Sequence, residues 1–268
     1  MIKADNWIRQ MCQVPTHAFL KQNGVVDLIS EPFSPHQQRV QTASAARKAL
    51  LSCTIVGSEE RKNKELFEPL IETIYNLDHD DPDQRNWQPM IEPFLPESIK
   101  VCENGHKAIS SGVSSYGYDV RLSDDLNIFT NVNSMMTDPY EIDERCYVKA
   151  EIRKDEKGRK YAILPPNSFL LGHTIEYFRI PVDVLVVALG KSTWARAGVG
   201  VTITPIEPGF EGQVVIEVAN FTNLPVKIYV EVGISQFLFF QSDERCQTSY
   251  ADRAGKYQGQ TGITMPKV

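Results

Sequence analysis

The sequence has 268 residues, of which 42% are hydrophobic and 23% are charged, and its formal net charge is −6. This length can bury a substantial core as one domain or two small ones, and the composition is typical of globular proteins. The acidic balance argues against nonspecific binding to nucleic acid or to a membrane surface, and no apolar run approaches the roughly 20 residues of a membrane-spanning helix.

Residues 1–94 are predicted to form an α-rich N-terminal segment. Residues 44–51 and 64–77 favour helix, and in the second range the apolar residues recur at helical spacing, which gives one apolar face. Pro69 falls in the first turns of that pattern, so the helix can begin later than the pattern does. Residues 78–84 contain four aspartates and Pro82, and they are predicted to form a loop.

Residues 95–268 are predicted to form a second, mainly β domain. Short runs rich in β-branched and aromatic residues alternate here with Gly, Pro, Asn and Asp, a pattern typical of an all-β sandwich or barrel. One short helix, around residues 192–197, interrupts them. The predicted strands cover residues 116–122, 182–189, 200–204, 213–221, 226–230 and 235–240.

The usual catalytic motifs of zinc deaminases and hydrolases are missing from the sequence. No histidine is followed by Glu two residues later, and no C-x-x-C, G-x-S-x-G, Walker or G-x-G-x-x-G motif occurs. Hydrolysis would therefore use side-chain acid–base groups, with any metal held mainly by substrate phosphates. The five cysteines are scattered and the N-terminus lacks a signal-peptide pattern, which predicts reduced thiols and a cytoplasmic location.

The segment from Gly190 to Gly198 follows an apolar strand and opens a predicted helical turn. Ser192 and the threonine after it satisfy free N–H groups at a helix start, and such N–H groups also attract phosphate. Lys191 adds a point charge, while Arg196 offers a planar fork suited to phosphate or carboxylate. The alternative is a capped short helix with surface charges and no binding role.

Glu217 lies within a run whose residues are apolar on both sides of the strand. Val214, Ile216 and Val218 point to one side, and Val215 and an alanine flank the glutamate on the other. A carboxylate in such a place is costly unless it is paired or lines a site, and partial burial raises its pKa toward the range of acid–base catalysis. The alternative is an edge-strand glutamate or a structural salt bridge, for instance with Arg196.

Two further segments carry polar groups that could meet a ligand. The loop at residues 202–212 has two prolines and two glycines and contains Glu207, which either touches a ligand or is an exposed turn carboxylate. The stretch at residues 250–262 is polar and carries Arg253 and Lys256, so it could close over an anion. From composition alone, the default expectation for this stretch is a frayed C-terminus.

Taken in order, these segments resemble the dCTP deaminase family. The resemblance covers roughly residues 95–268, and residues 5–9 look like the family's first helix. It implies a mainly β fold, a distorted β-barrel of the dUTPase-like, jelly-roll type, with the α-rich N-terminal part as an extension or insertion. It also implies a homotrimer with active sites between subunits. The matching segments are residues 114–121, 165–169, 175–178, 190–198, 207–210, 216–217, 236–239 and 250–262.

The same resemblance implies hydrolysis of dCTP to dUTP and ammonia, without zinc, in the supply of dUMP and dTTP. Glu217 matches the general base and acid that activates water to attack C4 of cytosine. Ser192 and Arg196 match residues that position the water and the glutamate and stabilise developing charge. Mg²⁺ would bridge the phosphate oxygens. The positions matched to nucleotide binding are Lys191, Thr193, Trp194, Ala195, Glu207, Val215, Ile216, Gln236, Tyr250, Lys256 and Gln260.

The sequence also departs from the family pattern. Lys191 stands where many members carry Arg, which removes bidentate contact with phosphate, and Glu207 fills a slot often held by Asp. Residues 13–88 have no counterpart in compact members. Two alternative functions stay open: a dUTPase or bifunctional enzyme that takes dCTP to dUMP and diphosphate, and a nucleotide-binding regulator without activity. dTTP is a candidate inhibitor.

Overall fold

The computed structural model describes residues 1–12, 89–102 and 105–267. Strands dominate these residues, as the sequence predicted, and they are joined by two short α-helices and one 3-10 helix (Glu144–Cys146). The helices are α1 (Asp5–Cys12) and α2 (Ser192–Arg196). The strands are β1 (Ile91–Glu92), β2 (Ile99–Val101), β3 (Lys107–Ser114), β4 (Gly117–Arg121), β5 (Asn127–Phe129), β6 (Tyr147–Lys149), β7 (Arg153–Lys154), β8 (Lys160–Leu164), β9 (Phe169–Arg179), β10 (Val184–Gly190), β11 (Val199–Thr202), β12 (Glu211–Asn220), β13 (Val226–Tyr229) and β14 (Gly233–Gln241).

The strands pair in three antiparallel sheets, and within the described residues these sheets do not close into a single barrel. The first sheet has the order β11-β12-β9-β5-β6, with β1 also paired to β9, and the second has the order β10-β14-β4-β3-β2. A third, smaller sheet joins β13, β8 and β7. Glu217 lies on an interior strand of the first sheet, because β12 is paired with β11 on one side and with β9 on the other.

The core lies between the two larger sheets and is built from aliphatic and aromatic side chains. Phe178 of β9 and Phe237 of β14 are fully buried, and their ring centroids lie 5.1 Å apart. Gly172 lets β9 lie close to the segment that follows β4, since a Cβ at residue 172 would lie 2.7 Å from Cδ1 of Leu122. Burial of this apolar surface is the main term that stabilises the packed sheets.

A fully buried carboxylate ties the two sheets together. Glu176 of β9 accepts hydrogen bonds from the backbone N–H (3.0 Å) and from Nε (2.7 Å) of Arg121 on β4. The hydroxyl of Tyr118 lies 3.4 Å from the same carboxylate and accepts a hydrogen bond from the N–H of Leu95. These bonds satisfy polar groups that would otherwise be costly in the core.

The N-terminal residues pack against the same unit. The N–H of Lys3 donates to the carbonyl of Phe239, and Ile8 of α1 is fully buried. The N–H of Met90 donates to the carbonyl of Met11 at 3.0 Å, so the chain leaves this unit and returns to it at one place. Met1–Cys12 and Met90–Val268 accordingly form one compact unit, and Gln13–Pro89 are assigned to a second.

Several sequence predictions can be compared with these elements. The six predicted strands correspond to β4, β10, β11, β12, β13 and β14, and the predicted short helix is α2, so these are confirmed. Strand β9 was missed, although it is the longest. The helices predicted at residues 44–51 and 64–77 and the loop at 78–84 lie outside the described residues, and the domain boundary after residue 94 stays a prediction. The described cysteines are free thiols: Cys12, Cys102, Cys146 and Cys246.

Replacing residues 13–88 with a short Gly-Ser linker is expected to leave the unit folded. The hydrogen bond between Met11 and Met90 holds the two ends together, so the linker has little distance to span. We expect the thermal unfolding midpoint, measured by circular dichroism, to change by a few degrees at most. A matched deletion of residues 1–88 also removes buried Ile8 and should lower the midpoint clearly. Equal destabilisation by both deletions would contradict this reasoning.

Candidate active site

Glu217 lies in the middle of β12, opposite Leu171 of β9 and Thr202 of β11. The alternation predicted from the sequence is confirmed on one face, where Val214, Ile216 and Val218 are buried. The opposite face, which carries Glu217, is half-buried. A strand paired on both sides fixes the position of this carboxylate, and the face that carries it is only half-buried.

Burial raises the pKa of Glu217 above its ordinary value, and a hydrogen bond to its own backbone offsets this only in part. No basic side chain within the described residues contributes to this pKa shift. Glu217 therefore does not form the structural salt bridge with Arg196 that was the alternative interpretation. The raised pKa was predicted from the apolar surroundings and is confirmed in direction. A carboxyl group with a raised pKa is suited to general acid–base chemistry near neutral pH.

An aromatic cluster, which the sequence did not predict, lies beside Glu217. The rings of Phe129 and Phe169 stack with centroids 4.8 Å apart, and Tyr147 meets Phe129 edge-on at 5.8 Å. Phe169 is paired with Ala219, two residues from Glu217. Burial is the main cause that raises the pKa of Tyr147, and the charges of Cys146 and Glu217 add to it. The cluster therefore forms an apolar wall next to the carboxylate.

Helix α2 forms a single turn at the end of β10, as predicted. Lys191 takes the N-cap position with extended backbone angles, and its carbonyl accepts from the N–H groups of Trp194 and Ala195. The indole of Trp194 is buried and donates to the carbonyl of Gly233 at 2.9 Å, so this ring is a core group. The exposed residues of the turn are Ser192, Thr193, Ala195 and Arg196.

Lys191 is engaged within the protein. Its Nζ lies 2.5 Å from Oδ2 of Asp119 and 3.1 Å from Oγ of Ser110, and both charged side chains are largely buried. Asp119 also accepts from the hydroxyl of Ser110, while its Oδ1 has no partner within the described residues. The ammonium group of Lys191 is therefore paired with a carboxylate in this structure, and its place near the triphosphate stays a prediction.

Gln236 lies on the second sheet, close to this ion pair. In β14 it is paired with Asp119 of β4 on one side and with Leu189 of β10 on the other. Its side-chain amide donates to the hydroxyl of Ser114 at 3.0 Å. Gln236 therefore belongs with Lys191 and α2 rather than with Glu217.

The loop before β12 holds Glu207 at its surface. Glu207 forms an ion pair with Arg253, and both side chains are partly exposed. Gly209 has a φ of +79°, and a Cβ there would lie 2.8 Å from the side chain of Ser249, so glycine is needed at this close approach. The next residue, Phe210, packs edge-on against Tyr250 with centroids 5.7 Å apart.

The C-terminal tail, residues 250–267, packs along this loop and the start of β12. The N–H of Tyr250 donates to the carbonyl of Pro208, and the hydroxyl of Tyr250 accepts from the N–H of Tyr257 at 3.0 Å. Gln260 forms a parallel bridge to Gly212, and Lys256 is exposed. The default expectation of a frayed C-terminus is therefore wrong, since backbone hydrogen bonds hold the tail in place.

The predicted site residues fall into two groups. One group surrounds the start and middle of β12; the other surrounds α2 and the Lys191–Asp119 ion pair. Within the described residues, neither a hydrogen bond nor an ion pair joins Glu217 to Ser192 or Arg196. The first group contains Glu207, Val215, Ile216, Glu217, Tyr250, Lys256 and Gln260, and the second contains Lys191, Ser192, Thr193, Trp194, Ala195, Arg196 and Gln236.

Residues 1–12, 89–102 and 105–267 contain no group of three or more His, Cys, Asp or Glu side chains arranged to hold a metal ion. A membrane-spanning helix is absent from the part of the chain that the structure describes.

Comparison with known proteins gives a consistent set of matches. A family model described as dCTP deaminase-like matches residues 88–242. The dCTP deaminase of Alcanivorax borkumensis is 56% identical over 178 residues, which cover 66% of this chain and 90% of that protein. The dCTP deaminase of Paraburkholderia xenovorans has the same identity and coverage.

Solved structures give weaker matches. A 2′-deoxycytidine 5′-triphosphate deaminase from Agrobacterium tumefaciens has 15% identity and a TM-score of 0.39, and the match covers 56% of this chain and 42% of that one. A dUTPase of EIAV has 17% identity and a TM-score of 0.29, with 36% of this chain and 88% of that one covered.

Proposed function

The chain belongs to the dCTP deaminase family, and we propose that it hydrolyses dCTP to dUTP and ammonia. The observation that carries the proposal is the placement of Glu217, a half-buried carboxylate with a raised pKa on an interior strand of the sheet and without a basic partner in the described chain. A carboxylate held in this way can accept a proton from water and return it during one catalytic cycle.

In the proposed reaction, ionised Glu217 removes a proton from a water molecule while the oxygen of that water attacks C4 of cytosine. The carbon becomes tetrahedral, and the glutamic acid passes this proton to N3. Glu217 then takes the second proton from the new C4 hydroxyl and delivers it to the amino group, so the C4–N bond breaks, ammonia leaves and the C4 carbonyl of uracil forms. Ser192 and Arg196 position the water and stabilise the charge that develops at the base, as preorganised donors do. The aromatic wall of Phe129, Tyr147 and Phe169 reduces access of bulk water on one side of the carboxylate.

The nucleotide is proposed to lie along β12 and the C-terminal tail. Val215 shares the half-buried face of Glu217, while Tyr250 and Gln260 hold the tail beside it. Ile216 is fully buried, so only its backbone can meet a ligand. Exposed Lys256 supplies charge for the phosphates. Mg²⁺ prefers hard oxygen ligands and retained water, so it would be held mainly by the nucleotide's phosphate oxygens and would neutralise part of their charge.

We place the complete site between two copies of the chain in a homotrimer. The support is the separation of the site residues into two groups, with Glu217 in one and Ser192 and Arg196 in the other. A symmetric oligomer brings one group of each copy against the other group of its neighbour. A cytoplasmic location, predicted from the scattered cysteines, and inhibition by dTTP belong to the same proposal.

Mixing two inactive variants tests this arrangement. Co-expressed Glu217→Gln and Arg196→Ala chains should regain up to about a quarter of wild-type activity, because one in four sites then combines an intact glutamate with an intact arginine from the next copy. Each variant expressed alone supplies the baseline. If both groups come from a single chain, mixed trimers contain no intact site and activity stays at that baseline.

Product analysis tests the reaction itself. The purified protein is incubated with Mg²⁺ and either dCTP or dUTP, and the nucleotides are separated by chromatography. We expect equal amounts of dUTP and ammonia from dCTP, and intact dUTP in the second sample. Formation of dUMP and diphosphate would instead identify the bifunctional enzyme or dUTPase. A protein that turns over neither nucleotide is a binding regulator.

A further inference from the structure

Gln213 lies on β12 four residues before Glu217 and shares its half-buried face. We infer that Gln213 is a positioning residue that fastens the C-terminal tail beside the catalytic carboxylate and sets the orientation of Gln260. The inference rests on the proposed function, in which Gln260 contacts the nucleotide. Gln213 was not among the site residues that the sequence suggested.

Three hydrogen bonds join Gln213 to the tail. Its backbone N–H donates to the carbonyl of Gln260 at 2.9 Å, and its own carbonyl accepts from the side-chain Nε2 of Gln260 at 2.7 Å. Its side-chain Oε1 accepts from the N–H of Gly262 at 2.7 Å. The first two bonds involve only the backbone of Gln213 and survive a side-chain change, whereas the third is lost.

The amide nitrogen of the same Gln213 side chain is bound to β9. Gln213 is paired with Tyr177, but Val215, two residues on, is paired with His173, so β9 carries extra residues at this point. Such a bulge takes backbone groups out of the regular ladder. The Nε2 of Gln213 donates to the carbonyl of Ile175, within the bulge, at 3.3 Å. One side chain therefore links an irregular part of β9 to the tail.

The result of this linkage is a defined orientation of Gln260. Because its Nε2 is bound to Gln213, its Oε1 is directed away, and this oxygen is buried without a partner in the described chain. A buried acceptor without a donor is costly, and a nucleotide N–H or O–H group would satisfy it. The bond from Gly262 to the side chain of Gln213 holds the tail two residues beyond Gln260. Its loss should loosen this part of the tail and with it Gln260, which reduces nucleotide binding and leaves the chemistry at Glu217 intact.

The variant Gln213→Met tests the inference, since methionine has a similar length but offers no hydrogen bond. We expect the KM for dCTP to rise about tenfold, the scale of one lost hydrogen bond, with kcat within about twofold of wild type. We also expect faster tryptic cleavage after exposed Lys256 without nucleotide, read by mass spectrometry as the released C-terminal peptide. The matched control is Gln241→Met at the end of β14, where the side chain donates to Asp183 at 2.6 Å. It should change neither readout.

Each result has a distinct meaning. An unchanged KM and unchanged tail cleavage in an active Gln213→Met protein would overturn the inference. Equal losses of kcat and thermal stability, without a selective rise in KM, would also overturn it, because they indicate a merely structural role. If the wild-type protein does not turn over dCTP, the proposed function fails, and the cleavage assay alone decides whether Gln213 fastens the tail.

Discussion

Replacing Glu217 with Gln is expected to lower kcat for dCTP by at least about a hundredfold, the scale of general acid–base catalysis, while the nucleotide still binds. Glutamine has the same shape and can occupy the same half-buried face of β12, but it cannot take a proton from water. Turnover is measured by ammonia release and binding by titration of dCTP. The control Glu244→Gln changes an exposed carboxylate and should keep full activity. Near-normal turnover by the Glu217 variant would remove this residue from the mechanism.

The pH profile gives a second readout of the same group. The base must be ionised, so kcat of the wild-type protein should fall as the pH is lowered through the pKa of Glu217. Because burial raises that pKa, the fall should begin at a higher pH than for an exposed glutamate. The residual activity of Glu217→Gln should lack this acidic limb. An acidic limb at the same pH in both proteins would assign it to another group.

Replacing Arg121 with Met is expected to lower the free energy of unfolding by about 3–5 kcal/mol, because it leaves a carboxylate buried without its counter-charge. Glu176 is fully buried and bound to Nε of Arg121 at 2.7 Å. Urea denaturation at fixed protein concentration measures the change. The control Arg153→Met breaks an exposed pair with Glu151 and should leave the midpoint nearly unchanged.

Two further observations separate the lost ion pair from lost packing. Burial raises the pKa of Glu176, and Arg121 partly opposes this rise, so removing Arg121 raises the pKa further. The variant should therefore recover stability as the pH falls and the carboxyl becomes protonated. The double variant Arg121→Met with Glu176→Met should be more stable than Arg121→Met alone, since no charge is left in the core. A pH-independent loss, unchanged in the double variant, would indicate that packing rather than charge is responsible.

The strands that could be predicted are those whose patterns are local. β10, β12 and β14 have continuous or alternating apolar residues bounded by turn formers, so one strand's sequence is enough to identify each. β9 was missed because its bulge near Thr174 and its buried polar residues interrupt the alternation. Glu176 is satisfied by Arg121 and Tyr118, which lie 55 and 58 positions away along the chain, and no local pattern contains those partners.

The site residues also divide into those that a local pattern reveals and those that depend on distant partners. Glu217 could be identified because apolar neighbours on both faces of its own strand make a charge there unusual. The ion pair of Lys191 with Asp119 and its hydrogen bond to Ser110 could not be predicted, since these partners belong to distant strands that the sheet brings together. Tyr147 and Gln213 were overlooked for the same reason: their roles depend on pairing and on a bulge, and neither residue type stands out in its own segment.

The hydrogen bond between Met11 and Met90 has a consequence for how this chain can change over evolutionary time. The entropy of closing a flexible loop grows only logarithmically with its length, by about 0.6 kcal/mol for each doubling. Where the two ends of a loop are already held together, residues can be gained or lost between them at little cost to the rest of the protein. This junction is therefore a place where the family can acquire new sequence while the chemistry at Glu217 continues under separate selection.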